Sequence, residues 1–376
     1  MDAILSSKPK RIPELDGLRA FAVILVVIYH MSDFAASLPR GPYWIATIVT
    51  SLGPNGVNVF FIISGFIITT LLMREKISAG QVSLAAFYIR RFFRIVPPFG
   101  TYLLALLAIR ALGGISISSH NLLWSALFLG DIVFINPMNG WFVAHTWSLS
   151  VEEQFYLIFP PLLFLVGRSR KRITVAILCA LYGLCLVSLK LAHEFSLHNA
   201  PQLNGISALY HFRYIIIGVV LAIHGDLVLP LLTNKSRIWP LVFAMIVISL
   251  QLVTFGSNLL SVLFAAMDPC FCGLFVMWFM QNPSRCGLLR SPAIQWIGAS
   301  SYSIYLWQQL FTAPRSNYSG WALTLTPTPL SVLAIGICAA GSYYFVERPS
   351  IRLGRYLSRR SRVTQSNSEI SEQEAA

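Results

Sequence analysis

"LDGLRAFAVILVVIYH", Leu15 to His30, is an apolar run fit to enter a bilayer, yet it carries Arg19 near its start and His30 at its end. Hydrocarbon rejects both side chains, and ionisable groups in membrane helices usually face the protein interior and mark function by default. Eleven residues separate the two. At 3.6 residues per turn that is close to three turns, so both point the same way, about 16 Å apart along the axis. The pair reads as two groups on one interior groove, Arg19 at the cytoplasmic boundary and His30 near mid-membrane. A snorkelling arginine and a histidine bonded to a neighbouring helix are the plainer alternatives. A neutral imidazole at mid-depth can take a proton from a hydroxyl near neutral pH. Metal ligation competes, but no second histidine lies at i+3 or i+4; Asp33, one turn further on, could orient the ring.

The rest of the chain supports a membrane setting. Of 376 residues, 56% are hydrophobic and 11% charged, and the mean hydropathy is +0.66. That is too apolar for an ordinary soluble domain. The net charge of +13 does not indicate nucleic acid, because the basic residues lie in short clusters between apolar runs and not on one solvated face. The six cysteines form no C-x-x-C pair and read as buried thiols. The N-terminal stretch resembles a signal peptide only superficially, since its apolar run contains Arg19 and His30 and further spans follow.

A span needs about 20 mainly apolar residues. Ten candidates meet this: 18–36, 57–73, 96–112, 149–166, 173–192, 207–224, 238–255, 259–280, 296–312 and 330–346. A further run, 121–135, is short and is interrupted by Gly130 and Asp131. If it does not cross, 23 of the 28 Lys and Arg residues fall on one side; if it crosses, the asymmetry is lost. The positive-inside rule therefore predicts an all-α polytopic membrane protein of about ten transmembrane helices, both ends cytoplasmic, with 121–135 as a re-entrant or interfacial piece. The expected division is a cytoplasmic N-terminal tail (1–14), a transmembrane domain (15–350) and a polar, disordered cytoplasmic tail (351–376). No soluble domain is expected at either end.

Four further stretches carry chemistry. "FYIRRFFRIVPP", 87–98, sets Arg90, Arg91 and Arg94 at a predicted interface. Such a run fixes topology or touches lipid headgroups, but Arg91 and Arg94 share a helix face and could equally grip a polyphosphate. "HTWSLSVEEQFYLIFPP", 145–161, opens a span with Glu152 and Glu153. Ser150 and Glu153 fit a capping box, yet an acid entering a membrane needs a partner, and His30 would be one. "SSYSIYLWQQLF", 300–311, places Ser301, Tyr302, Ser303, Tyr305 and Gln308 within a span, where hydrogen bonds between helices are the ordinary explanation. Asp268 beside Pro269 suggests a broken helix or an ion pair. Arg110, Lys190, His211 and Arg213 fall toward the predicted outer ends of spans, where they snorkel or line a vestibule for a polar substrate.

Together with "GVNVFFIISGFIIT" (56–69) and "VERP" (346–349), these blocks closely resemble, in order from Leu15 to Pro349, the bacterial membrane-bound acyltransferase-3 family. The resemblance implies a multi-pass enzyme of the bacterial cytoplasmic (inner) membrane. It would move an acyl group, usually acetyl, from cytoplasmic acyl-CoA to a hydroxyl, typically of a carbohydrate such as exopolysaccharide or O-antigen. It needs no metal. It implies His30 as the catalytic base with Arg19 and Glu152, and Arg91 and Arg94, beside Arg90, as the acyl-CoA contacts. Tyr302, Ser301, Glu153, Asn58 and Arg213 are the candidate substrate contacts. Many family members carry aspartate where this chain has Asn58 and histidine where it has Gln308. Some relatives carry a fused esterase-like domain; none is read here, so onward transfer would need another protein. A transporter or flippase for an acyl donor or lipid-linked sugar is the competing reading, since intramembrane Arg, His, Asp and Glu also serve proton relays.

Overall fold

The computed structural model describes residues 12–31, 43–132, 137–166, 177–187, 204–232, 238–253 and 259–360. Asp33, Lys190, the basic cluster 168–172 and residues 1–11 and 361–376 of the tails lie outside them, whereas 351–360, expected to belong to a disordered tail, are helical and continue the last helix. Among the described residues the chain is helical, and its sole extended pairing is one bridge between Ile115 and Tyr318.

Helix α1 runs Pro13–His30. Proline at its first position and Glu14 and Asp16 in its first turn suit a helix start. α2 follows (Tyr43–Ala79), then α3 (Leu84–Ala111). Ser83 caps α3, its hydroxyl accepting from the Ala86 N–H at 3.3 Å. Next come α4 (Ser119–Ala126), α5 (Pro137–Ala144), α6 (Thr146–Val166) and α7 (Ile177–Val187). α8 (Asn204–Leu232), α9 (Trp239–Val253) and α10 (Leu259–Gln281) precede α11 (Pro292–Ala299) and α12 (Ser301–Phe311). α13 (Ser331–Ser342) runs through a π-helical turn, Tyr343–Glu347, into α14 at 348–360.

Among the described residues two stretches are long and apolar enough to cross a membrane, Gly53–Ala79 and Leu84–Ala111. The surface agrees with a lipid setting. Leu104, Leu157, Leu241, Leu333 and Phe345 are exposed, while Thr69, Ser125, Ser150, Ser301, Ser303 and Gln308 are fully buried. Apolar outside and polar inside reverses the arrangement of a water-soluble bundle.

Helix boundaries differ from the sequence reading in three places. α1 ends at His30, which is its last residue and not its midpoint. α3 starts a full three turns before 96, so the arginine run lies inside a helix; Pro97 and Pro98 sit within it. The stretch 296–312 is two helices, because Ser300 leaves helical geometry and its hydroxyl turns back to the Trp296 carbonyl at 2.8 Å. The short run 121–135 was expected not to cross as a straight helix; α4 is eight residues long and gives way to turns in which Phe128 adopts a positive φ of 55°. Those turns are tied to α6 by Gln154, which donates to the Phe128 carbonyl at 3.2 Å and to Asp131 at 2.9 Å.

Two apolar clusters form the interior. One joins α2, α8 and α10; the other joins the end of α1 with α3, α12 and α13. Val57 and Phe60 of α2 pack against both. The α2–α8 crossing is very close. A Cβ on Gly65 would collide with the Ile215 carbonyl oxygen, and a Cβ on Gly218 would collide with that of Ile62. In lipid, where apolar burial between helices gains little, such close approach of backbones is what fastens helices together. Gly65→Leu is therefore expected to force α2 and α8 apart, at a cost of about 1–3 kcal/mol or more for overpacking. Gly100→Ala, which meets open space, is expected to leave the melting temperature in detergent unchanged or slightly raised. Thermal melting followed by size-exclusion chromatography checks both.

Candidate active site

The junction of the two clusters holds a cavity lined by Arg19, Arg91, Arg94 and Glu152, with Ser64, Ser148, Ser301, Tyr302, Tyr305 and apolar groups including Phe60 completing it. The cavity has a volume of about 70 Å³, room for a slender chain or a single anionic group and its waters. Each wall follows from helical spacing. Arg91 and Arg94, three residues apart on α3, project from one face. Arg90 is one position earlier, about 100° round the helix, and pairs with Glu75 at 3.1 Å. That carboxylate also accepts from the Ser83 N–H at 3.2 Å. Arg90 thus closes the α2–α3 turn and does not line the cavity, contrary to its expected place among the acyl-CoA contacts.

Two of the guanidinium groups have identified partners. Arg19 donates to the Ser301 hydroxyl at 3.2 Å and lies 5.9 Å from the Phe60 ring centre. Arg91 stacks 3.5 Å above the Tyr156 ring and stands 3.6 Å from Glu153. Arg94 lies within electrostatic range of Arg19, Arg91 and Glu347. Glu152 accepts a hydrogen bond from the Ser64 hydroxyl. Three cations therefore face one carboxylate inside the bundle, with Glu153 and Glu347 behind them. This excess suits an anion presenting several oxygens.

Glu347 was not singled out in the sequence. It is 2% exposed and accepts from the Ser303 hydroxyl at 2.6 Å. The π turn that carries it aims it inward; such turns insert an extra residue into a helix and recur at functional sites.

His30 stands elsewhere. Its Nδ1 lies 2.9 Å from the Val26 carbonyl oxygen, and its ring meets Trp141 edge-on at 6.1 Å. A carbonyl only accepts, so this bond puts the proton on Nδ1 and leaves Nε2 as the basic nitrogen. Tyr305 lines the cavity, and its hydroxyl bonds the Ser148 hydroxyl at 2.6 Å and donates to the His145 carbonyl at 2.8 Å. Arg19 and His30 share a face of α1 as expected, but Arg19 opens on the cavity and His30 does not line it. Glu152, expected to orient His30, is bound to Ser64 among the arginines.

The expected substrate contacts are dispersed. Ser301 and Tyr302 line the cavity, Tyr302 donating to the Ile95 carbonyl at 3.0 Å. Glu153 stands behind Arg91. Asn58 is buried and donates to Asn55 at 3.4 Å. Arg213 is buried in a separate cluster, 4.0 Å from Asp268 and 3.3 Å above the Tyr210 ring. Tyr214 donates to Asp268, so Asp268 and Pro269 lie in a continuous α10 that carries an ion pair. Arg110 bonds Ser119 at 2.9 Å on the surface.

The chain matches the acyltransferase-3 family, described as an acyltransferase domain, over residues 12–347, and belongs to that family. It is similar to O-acetyltransferase OatA of Staphylococcus aureus strain NCTC 8325 / PS 47, 27% identical over 377 residues covering 92% of this chain and 58% of the relative. The OatA protein of strain COL is similar at the same identity and coverage. The chain thus spans about three fifths of the length of these curated relatives. No solved structure matches.

Removing Glu152 takes away the one carboxylate that lines the cavity with the three guanidinium groups. Glu152→Gln is expected to lower the melting temperature, since breaking a buried charge arrangement costs about 3–5 kcal/mol. Millimolar pyrophosphate is expected to restore part of that loss by binding the folded state. Melting curves with and without the anion measure both.

Proposed function

We propose that this chain is an integral membrane O-acyltransferase that moves an acyl group, in our reading acetyl, from cytoplasmic acyl-CoA to a hydroxyl of a carbohydrate. The observation that carries this reading is the internal cavity with three arginines. Acyl-CoA combines phosphate groups with a slender arm ending in a thioester, and the cavity offers fork-shaped cationic donors beside a narrow passage. The family and the OatA-type relatives support acyl transfer to oxygen. In this reading the bundle crosses the bacterial cytoplasmic membrane several times, with both ends inside.

Arg91 and Arg94, with Arg19, hold phosphate oxygens of the donor, and Glu152 balances their charge. His30 Nε2, the basic nitrogen in the tautomer that the Nδ1 bond to Val26 sets, takes the proton from the acceptor hydroxyl. The hydroxyl oxygen bonds to the thioester carbonyl carbon, the C–S bond breaks, and the sulfur leaves as thiolate and is protonated in turn. The thioester end must pass the Tyr305–Ser148 wall to reach His30.

The test is thiol release from acetyl-CoA by the purified protein in nanodiscs with a panel of glycans, alongside calorimetric binding of CoA. Arg91→Met and Arg94→Met are each expected to weaken CoA binding by about 10- to 100-fold, the worth of a hydrogen bond to a charged group. Arg90→Met is expected to change it less than about threefold, because Arg90 serves the α2–α3 turn. His30→Ala is expected to abolish release while CoA still binds. Equal release by wild type and His30→Ala removes His30 from the reaction.

A further inference from the structure

Beyond the arginine cavity, the region around His30 contains a second set of polar groups with unused hydrogen-bonding capacity. His145 is 3% exposed, and neither of its ring nitrogens has a hydrogen-bond partner. Its ring meets Tyr102 edge-on at 5.7 Å and lies tilted against Tyr305 at 5.3 Å, and His30 stands within electrostatic range of it. Trp307 packs on the same Tyr102 ring at 5.6 Å, and Trp141 packs on His30. The indole N–H groups of both tryptophans are buried and unpartnered, as is the Gln308 side-chain oxygen. Gln308 is fully buried; its amide nitrogen is spent on Gln309, which in turn donates to the Trp141 carbonyl.

Other polar atoms here are already satisfied. The Tyr102 hydroxyl donates to the Phe142 carbonyl at 2.6 Å, and the Tyr305 hydroxyl is taken by Ser148 and His145 as described. What remains is two N–H donors, one carbonyl acceptor and an imidazole that, when neutral, offers one donor and one acceptor. A buried polar atom left unmatched costs about 1–3 kcal/mol, so this many together point to a ligand that matches them. Donors and acceptors without formal charge, set between aromatic faces, match a neutral polyhydroxylated molecule. The arginine cavity on the other side of Tyr305 has the opposite character.

We propose that His145, Trp141, Trp307 and Gln308, beside His30, form a second binding site that takes a neutral sugar through its hydroxyl groups. The inference rests on the acyltransferase reading and assigns the acceptor's place within it. His145 bonds one hydroxyl of the sugar while His30 addresses another, and Tyr305 separates the sugar from the anionic donor.

Saturation-transfer NMR on the full-length protein in nanodiscs tests this, with CoA, an N-acetylglucosamine tetramer and a maltose-series tetramer as probes. Wild type is expected to bind CoA and at least one tetramer. His145→Phe keeps an aromatic ring against Tyr102 and Tyr305 but removes both nitrogens, and is expected to weaken tetramer binding at least tenfold while CoA binding stays within twofold. His145→Gln keeps a donor and an acceptor and is expected to retain most of the affinity. Arg91→Met is expected to show the reverse pattern, losing CoA and keeping the tetramer. If His145→Phe does not fold, Gln308→Leu is expected to give the same selective loss. Wild-type tetramer affinity in His145→Phe, or a harmful Gln and a harmless Phe, means the ring only packs and overturns the proposal. Binding of CoA with neither tetramer also overturns it, leaving the acyltransferase reading in place. Binding of neither CoA nor sugar overturns both.

Discussion

Enclosing positive charge among helices is the constraint on which this structure depends. Arg19, Arg91 and Arg94 come from two helices far apart in sequence, yet face one another across a narrow cavity. Charges removed from water are tolerated only where other charges and dipoles replace it. The surrounding residues supply this: Glu152 within the cavity, Glu153 against Arg91, Glu347 behind Arg94, and the faces of Tyr156 and Phe60 against guanidinium planes. The polar interior and apolar exterior of the bundle follow from the same requirement.

The proposed reaction divides between two environments. In that proposal Tyr305 stands between the cationic cavity and a set of buried, neutral donors and acceptors among aromatic rings. A single side chain, fixed through its hydroxyl to Ser148 and the His145 backbone, forms the boundary. Keeping donor and acceptor apart until both are bound limits the chance that water takes the acceptor's place.

Much of this was legible in the sequence because the bilayer makes polar residues conspicuous. Arg19 stands out in an apolar run, Arg91 and Arg94 fall on one face by their spacing, and Ser301 and Tyr302 interrupt a span. All five line the cavity. The sequence was silent where position depends on distant parts of the chain. Glu152 is 88 residues from Ser64, and local spacing could not foretell that it would be bound among arginines in place of His30. His145 opens the stretch read as the start of a span, where attention fell on Glu152 and Glu153, and its own role shows only once its neighbours are seen. Arg90 differs from Arg91 by one step around a helix, and the interface reading did not separate their roles. The break at Ser300 was marked only by consecutive serines inside an apolar stretch, a weak signal beside the hydrophobicity of its flanks. The two membrane-length helices among the described residues agree with the membrane reading, and the expected number of crossings extends beyond them.

The π turn at Tyr343–Glu347 has a genetic consequence. A π turn is an α-helix with one residue too many, so the helix on either side keeps the phase it would have if that residue were absent. Elsewhere in these helices, losing one codon rotates everything downstream by about 100° and exchanges buried for exposed faces. At this turn, losing the codon for Phe345, whose side chain is 83% exposed, leaves α13 and α14 aligned. A deletion here therefore spares the helix phase that a deletion elsewhere would lose, and what it changes is the direction of Glu347.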